Sequence, residues 1–167
     1  VILGINPSAQ IVDVCHDIRP GDIKSAAFSI LAAFPYFPTE TIFTVVVDPG
    51  VGTERKAIAA EIGDKITVCP DNGILSRLLH EHGLGKAVEL TNDRFFLPEV
   101  SGTFHGRDIF APVAAHLSLG VQLEELGSEI KEVTIFPIPQ VVEQGPGVQG
   151  EVVYIDRFGN LVTNVPG

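Results

Sequence analysis

The run Thr41-Ile42-Phe43-Thr44-Val45-Val46-Val47, cut off by Asp48-Pro49-Gly50, constrains the fold more than any other stretch of the chain. A continuous β-branched run without polar alternation predicts a strand buried on both faces, as in the middle of a parallel sheet. Ligands in open α/β sheets bind outside the carboxyl ends of such strands. Asp48 therefore stands where a functional carboxylate belongs, while Pro49, Gly50 and Gly52 end the strand and let backbone approach a ligand closely. Arg55, seven positions on, is near enough to fold back onto the acid. Two readings stay open at this point: a reactive carboxylate, or a turn pinned by a satisfied Asp–Arg pair.

At 167 residues the chain is long enough to bury a real core and suggests one domain with an appendage. Its 11 basic and 21 acidic side chains leave a formal charge of −10, which argues against a nucleic-acid partner and is compatible with a cationic small ligand. No apolar run reaches the roughly 18–20 residues of a membrane span, and no signal peptide is visible, so no membrane partner is expected. Cys15 and Cys69, with no CxxC partner, fit a reduced cytoplasmic protein with small buried thiols. The sequence begins at Val1 and contains no Met, as expected of a portion of a longer product.

In chain order, Ile11 to Val14 predicts a short strand, and Ile23, Ala26, Ala27, Ile30, Leu31 and Phe34 follow helical spacing behind Asp22 or Gly21 as N-cap. Pro35 and Pro38 end that helix. Lys56 to Ile62 and Lys65 to Cys69 predict strands around a Gly63-Asp64 turn. The second runs into Pro70-Asp71-Asn72-Gly73 and a helix through Leu78 and Leu79 that stops near Gly83. Lys86 to Leu90 predicts another strand. This alternation implies an α/β domain over residues 1–136, a mostly parallel sheet with helices on both faces.

Ser101-Gly102-Thr103-Phe104-His105-Gly106-Arg107-Asp108 precedes a helix carrying Val113, Ala114 and Leu117. His105 thus falls in the approach to a helix N-terminus, where backbone N–H groups favour anionic species. Arg107 and Asp108 read best as a local ion pair that pins the turn. His80 and His82 sit on a fraying helix end and are expected to be solvated, and His116 to be mid-helix filler. Gly50-Val51-Gly52 lacks the remainder of a dinucleotide fingerprint, and the sequence holds no P-loop, HExxH or GxSxG. The spacing of Asp48, Asp71, His105 and Asp108 does not support a metal site, and none is expected.

Pro137 to Gly147 reads as a Pro/Gly-rich linker. Gly150–Asp156 and Asn160–Val165, joined by Arg157-Phe158-Gly159, form a hairpin that opens a second β domain over residues 148–167.

Four motifs together resemble one family: Val46-Val47-Asp48-Pro49-Gly50-Val51-Gly52-Thr53 with Arg55, Pro70-Asp71-Asn72-Gly73, Thr103-Phe104-His105-Gly106-Arg107-Asp108 and Ile155-Asp156-Arg157-Phe158-Gly159-Asn160. They resemble, in order and across nearly the whole chain, the S-adenosyl-L-methionine (SAM) hydrolases, or SAM hydroxide adenosyltransferases, relatives of the SAM-dependent fluorinases and chlorinases. The resemblance implies an α/β N-terminal domain, a C-terminal antiparallel β-barrel, and a homotrimer with substrate bound between subunits. It implies a catalytic set at Asp48, Arg55 and His105, with Asp156 on the methionine amino group, Asn160 on adenine and Phe158 as an aromatic wall. The halogenases carry other residues at the positions of Asp48 and His105. A ribose-binding Asp-Phe-Gly segment of the family would precede Val1, and most of the barrel would follow Gly167.

The activity so implied is hydrolysis of SAM to adenosine and L-methionine, with no cofactor. Displacement at the ribose C5′ carbon releases a neutral thioether, so the site needs a positioned oxygen nucleophile and no general acid. Arg55 is expected to hold hydroxide in line, with Asp48 and His105 orienting the arginine or taking the proton from water. The alternatives are a non-catalytic SAM or adenosine binding module and a SAM-dependent halogenase.

Overall fold

The computed structural model describes residues 1–166 and falls into two compact units, one over Val1–Ile135 and one beginning at Phe136. The first unit holds a five-stranded sheet of β1 (Ile42–Thr44), β2 (Ala57–Ile62), β3 (Lys65–Pro70), β4 (Ala87–Leu90) and β5 (Gly127–Glu129), in the order β1-β3-β2-β4-β5. Alternate residues of β2 build its two faces. Ile58, Ala60 and Ile62 join Cys69 beneath α2 (Ile23–Ala33) and α3 (Ser76–His82), where Ala26, Ile30, Phe34 and Leu78 are buried. Ala57 and Ala59 join Val68 and Val88 beneath α4 (Ala111–Leu117) and α5 (Leu123–Leu126), packed on Phe110, Val113 and Leu126. Helices thus cover both faces, as the sequence predicts, and the domain is α/β.

The strand directions differ from the expectation. Among the described residues only β1 and β3 pair parallel; β2–β3, β2–β4 and β4–β5 are antiparallel. The cause is local. Ile62 pairs with Lys65 across the two-residue Gly63-Asp64 turn, with Gly63 at φ 59, and so short a connection joins only antiparallel strands. A sheet covered on both faces acquires continuous apolar strands whichever way they run, so the apolar run at Thr41–Val47 carried no information on direction.

That run is also not central. β1 lies at the edge of the described sheet and its ladder is regular only over Ile42–Thr44, although the Val45 N–H still reaches the Val68 carbonyl at 3.0 Å. Val46 is 42% exposed. Residues Ile11–Val14, expected as a strand, pair with no strand among the described residues, and Cys15 beside them is exposed rather than buried. Cys69 is buried as expected.

Local chemistry sets the helix ends. Asp22 accepts the Ser25 N–H at 3.0 Å as the N-cap of α2, and Gly83, at φ 74, closes α3. A one-turn helix, α1 (Ile2–Ile5), packs against α4, and the Asn6 side-chain amide donates to the Ser118 hydroxyl at 2.9 Å. Among the described residues no helix is long and apolar enough to cross a membrane.

The described residues of the second unit form two hairpins, β6 (Val142–Gln144) with β7 (Gly147–Gln149) and β8 (Val152–Ile155) with β9 (Leu161–Thr163). The first occupies part of the expected linker at 137–147. Gly145 supplies φ 60 in a Gly-Pro turn whose flanks pair, so the Gly/Pro texture there marks a turn within a ribbon. The second is the hairpin predicted from the sequence.

Candidate active site

Two loops at the carboxyl side of β1 and ahead of α4 carry the functional side chains predicted in the first unit. Residues 48–55 form consecutive tight turns: the Val51 N–H donates to the Asp48 carbonyl at 3.3 Å, and the Thr53 N–H to the Gly50 carbonyl at 3.1 Å. The Thr53 hydroxyl donates to that same Gly50 carbonyl at 2.6 Å. These turns bring Arg55 back over Asp48. Its Nε donates to both carboxylate oxygens at 3.0 and 2.9 Å, and its NH2 group forms a further short bond to Oδ2. The side chains are 9% and 5% exposed, so the pair is shielded from water and its attraction is screened little.

His105 arrives from the second loop. Its Nδ1 lies 2.9 Å from the Arg55 NH2 nitrogen, which joins Asp48, Arg55 and His105 in one hydrogen-bonded chain. His105 precedes a wide π-helical turn, Gly106–Phe110, in which the Ala111 N–H returns five residues to the Gly106 carbonyl before α4 begins. Such turns recur at functional sites because they re-aim side chains. Gly106 lies so close to Val46 that a Cβ there would stand 3.3 Å from a valine methyl, which seats the turn directly on the end of the β1 run.

Asp108 holds this second loop together. Its side chain is fully buried and accepts Arg107 Nε at 2.6 Å, Arg107 NH2 at 3.2 Å and the Ser101 N–H at 2.8 Å. The Arg107 hydrogen bonds, then the Ser101 N–H, hold its carboxyl well below the usual aspartate range. This is the local ion pair read from the sequence.

Two supporting residues escaped the sequence analysis as site components. The Asn72 amide donates to the Val47 carbonyl at 2.9 Å, and its Oδ1 accepts the Ile74 N–H at 3.2 Å, so the Pro70–Gly73 turn buttresses the chain just before Asp48. Its sequence signals were the polar turn at a strand end and its place in the Pro70–Gly73 motif. Phe110 lies under Arg55, with the guanidinium carbon 5.3 Å from the ring centroid, and supports the cation as a buried aromatic floor; nothing in its spacing separated it from other core residues. Asp71 is turned elsewhere, accepting the Thr134 N–H at 2.7 Å. Among the described residues no group of three or more His, Cys, Asp or Glu side chains is gathered to hold a metal ion.

Asp156, Phe158 and Asn160 belong to the second unit. Asp156 Oδ1 accepts the N–H groups of Phe158 and Asn160, each at 2.8 Å, and its Oδ2 accepts the Asn160 side-chain amide at 2.7 Å. The Asn160 bonds, side chain first, lower the Asp156 pKa. The β8–β9 turn thus presents an acid and an amide side by side, with Phe158 85% exposed beside them. An open depression lined by Ile18–Gly21 and Val46–Pro49 borders Asp48 in the first unit.

Residues 1–127 match the family model described as the SAM hydroxide adenosyltransferase N-terminal domain. The chain belongs to that family. It is 43% identical over 164 residues to the (R)-S-adenosyl-L-methionine hydrolase of Salinispora tropica, covering 96% of this chain and 62% of that protein. It is 42% identical to the protein of that name from Thermus thermophilus, covering 95% and 64%. A fluorinase from an Actinoplanes species is 31% identical, covering 99% and 64%. A crystal structure described as an uncharacterized conserved protein from Thermotoga maritima superposes with a TM-score of 0.94 at 43% identity, covering 99% of this chain and 64% of that one. The chain therefore spans a little under two thirds of the length of the relatives it matches in the family.

Proposed function

We propose that the intact protein hydrolyses S-adenosyl-L-methionine to adenosine and L-methionine, by attack of a water-derived oxygen on the ribose C5′ carbon. The observation that carries this reading is the shielded Arg55 guanidinium, clamped by Asp48 and hydrogen-bonded to His105, in a chain whose relatives at 41–43% identity are named hydrolases of this compound. The sulfonium of SAM leaves as a neutral thioether, so no general acid is needed. The chemistry demands a nucleophile held in line with the C5′–S bond and a pocket dry enough for opposite charges to attract strongly. A buried cation with fixed orientation serves both needs. It stabilises hydroxide character on the attacking oxygen, and Asp48 and His105 keep it from turning.

In this reading Asp156 takes the methionine amino group, Asn160 the adenine and Phe158 a face of the adenosine. The mutual Asp156–Asn160 bond would then be exchanged for ligand contacts on binding. The reaction requires no metal and no cofactor, so a chelator leaves it unchanged. A C-terminal β-barrel and a homotrimer with the site between subunits complete the proposal on the strength of the motif resemblance, and a cytoplasmic location on the two cysteines that lack a CxxC partner.

The test compares rate with binding in the intact protein. Asp48→Asn, Arg55→Ala and His105→Ala should each lower the hydrolysis rate far more than SAM affinity, because all three serve the nucleophile. If affinity falls in step with rate, the three are ligand contacts and the assignment of roles is wrong.

A further inference from the structure

We infer that His105 is held as the neutral Nε2–H tautomer and acts as a positioning residue for Arg55, not as the base that deprotonates water. The inference rests on the hydrolase reading only for its catalytic consequence; the tautomer follows from geometry alone. A guanidinium has five N–H donors, no acceptor, and stays protonated in proteins. The 2.9 Å contact between Arg55 NH2 and His105 Nδ1 is a hydrogen bond with one possible direction, from arginine to histidine. Nδ1 must therefore present its lone pair, and a neutral imidazole that accepts at Nδ1 carries its hydrogen on Nε2.

The consequence is an accounting of lone pairs. Nε2 already bears a hydrogen, so His105 can gain a proton only at Nδ1. That would set an imidazolium N–H against a guanidinium N–H and break the contact that fixes Arg55. The same bond settles the arginine's donors. Nε is spent on Asp48, and NH2 is divided between Asp48 and His105. Among the described residues NH1 donates to no protein acceptor, so it is the nitrogen left to address the nucleophile. In the proposed reaction the O–C5′ bond forms as the C5′–S bond breaks, the electron pair leaves on sulfur, and solvent water carries off the proton.

Two measurements on the intact protein test this. With ¹⁵N-labelled histidine, and the His105 signals identified by their loss in His105→Ala, ring spectra near neutral pH should show an unprotonated Nδ1 and a protonated Nε2. A hydrogen on Nδ1 overturns the inference, and this readout holds even if the protein proves not to hydrolyse SAM. The second is a rescue. His105→Asn offers an amide oxygen in place of Nδ1 but cannot take up a proton. It should recover at least about tenfold of the rate lost in His105→Ala, as expected for restoring an acceptor to a charged donor. A base role predicts instead that both variants fall equally, by ~10²–10⁴-fold.

Discussion

Gly52 and Gly102 meet backbone to backbone: a Cβ on Gly52 would be driven into the Gly102 carbonyl oxygen. This contact clasps the loop that ends in Arg55 to the loop that ends in His105, and it explains how side chains fifty residues apart come into register. Gly52 also sits at φ 76, a conformation that costs any other L-residue about 1–2 kcal/mol. The Gly52→Ala variant therefore combines strain with a clash against backbone, which cannot swing aside.

The expected result is a lower thermal midpoint together with a hydrolysis rate reduced ~100-fold or more, since a displacement of about 1 Å at a reacting centre costs that much. Parallel melting curves and rate assays check it. A variant as active as the parent would mean that the two loops are not held by this contact.

Asp108 gives a prediction in pH. Its carboxyl titrates below the ordinary aspartate value of 3.8 in the folded protein, through the Arg107 and Ser101 hydrogen bonds. A depressed folded-state pKa stabilises at pH above the unfolded value, and the contribution fades as pH falls below it toward the folded value. Asp108→Asn should thus be less stable than the parent near pH 6, and the gap should narrow near pH 3. Urea midpoints at the two pH values measure it. A gap that widens on acidification contradicts the ion-pair account.

The two cysteines predict a labelling count. Cys15 is exposed, whereas Cys69 is buried on β3 and its thiol is pushed up, first by burial and then by the Asp71 carboxylate. A thiol reagent should titrate one cysteine in the native protein and both after denaturation. Two rapid equivalents in the native state would contradict the burial of Cys69.

The features legible in the sequence were those set by short chain segments. Asp22 capping α2, Gly83 closing α3, the Arg107–Asp108 pair and the return of Arg55 onto Asp48 all depend on residues within about a dozen positions of one another. The sheet's mixed direction was also present locally, in the two-residue Gly63-Asp64 turn, but the apolar texture of Thr41–Val47 outweighed it. That texture reports burial and says nothing of direction. The Gly145-Pro146 turn lies in the stretch that reads as a linker for a related reason, because Gly and Pro punctuate hairpins and linkers alike. The Asn72–Val47 bond and the Phe110 floor were illegible. Each joins segments far apart in sequence, and each uses a residue type that is common in purely structural roles.

Product analysis reads directly what attacks C5′. The intact protein is incubated with SAM in the presence and absence of chloride, and the nucleoside products are separated. The account predicts adenosine and L-methionine in equal amounts, independent of chloride, at a rate that collapses in Arg55→Ala. Formation of 5′-chloro-5′-deoxyadenosine, or binding of SAM with no turnover at all, would contradict it.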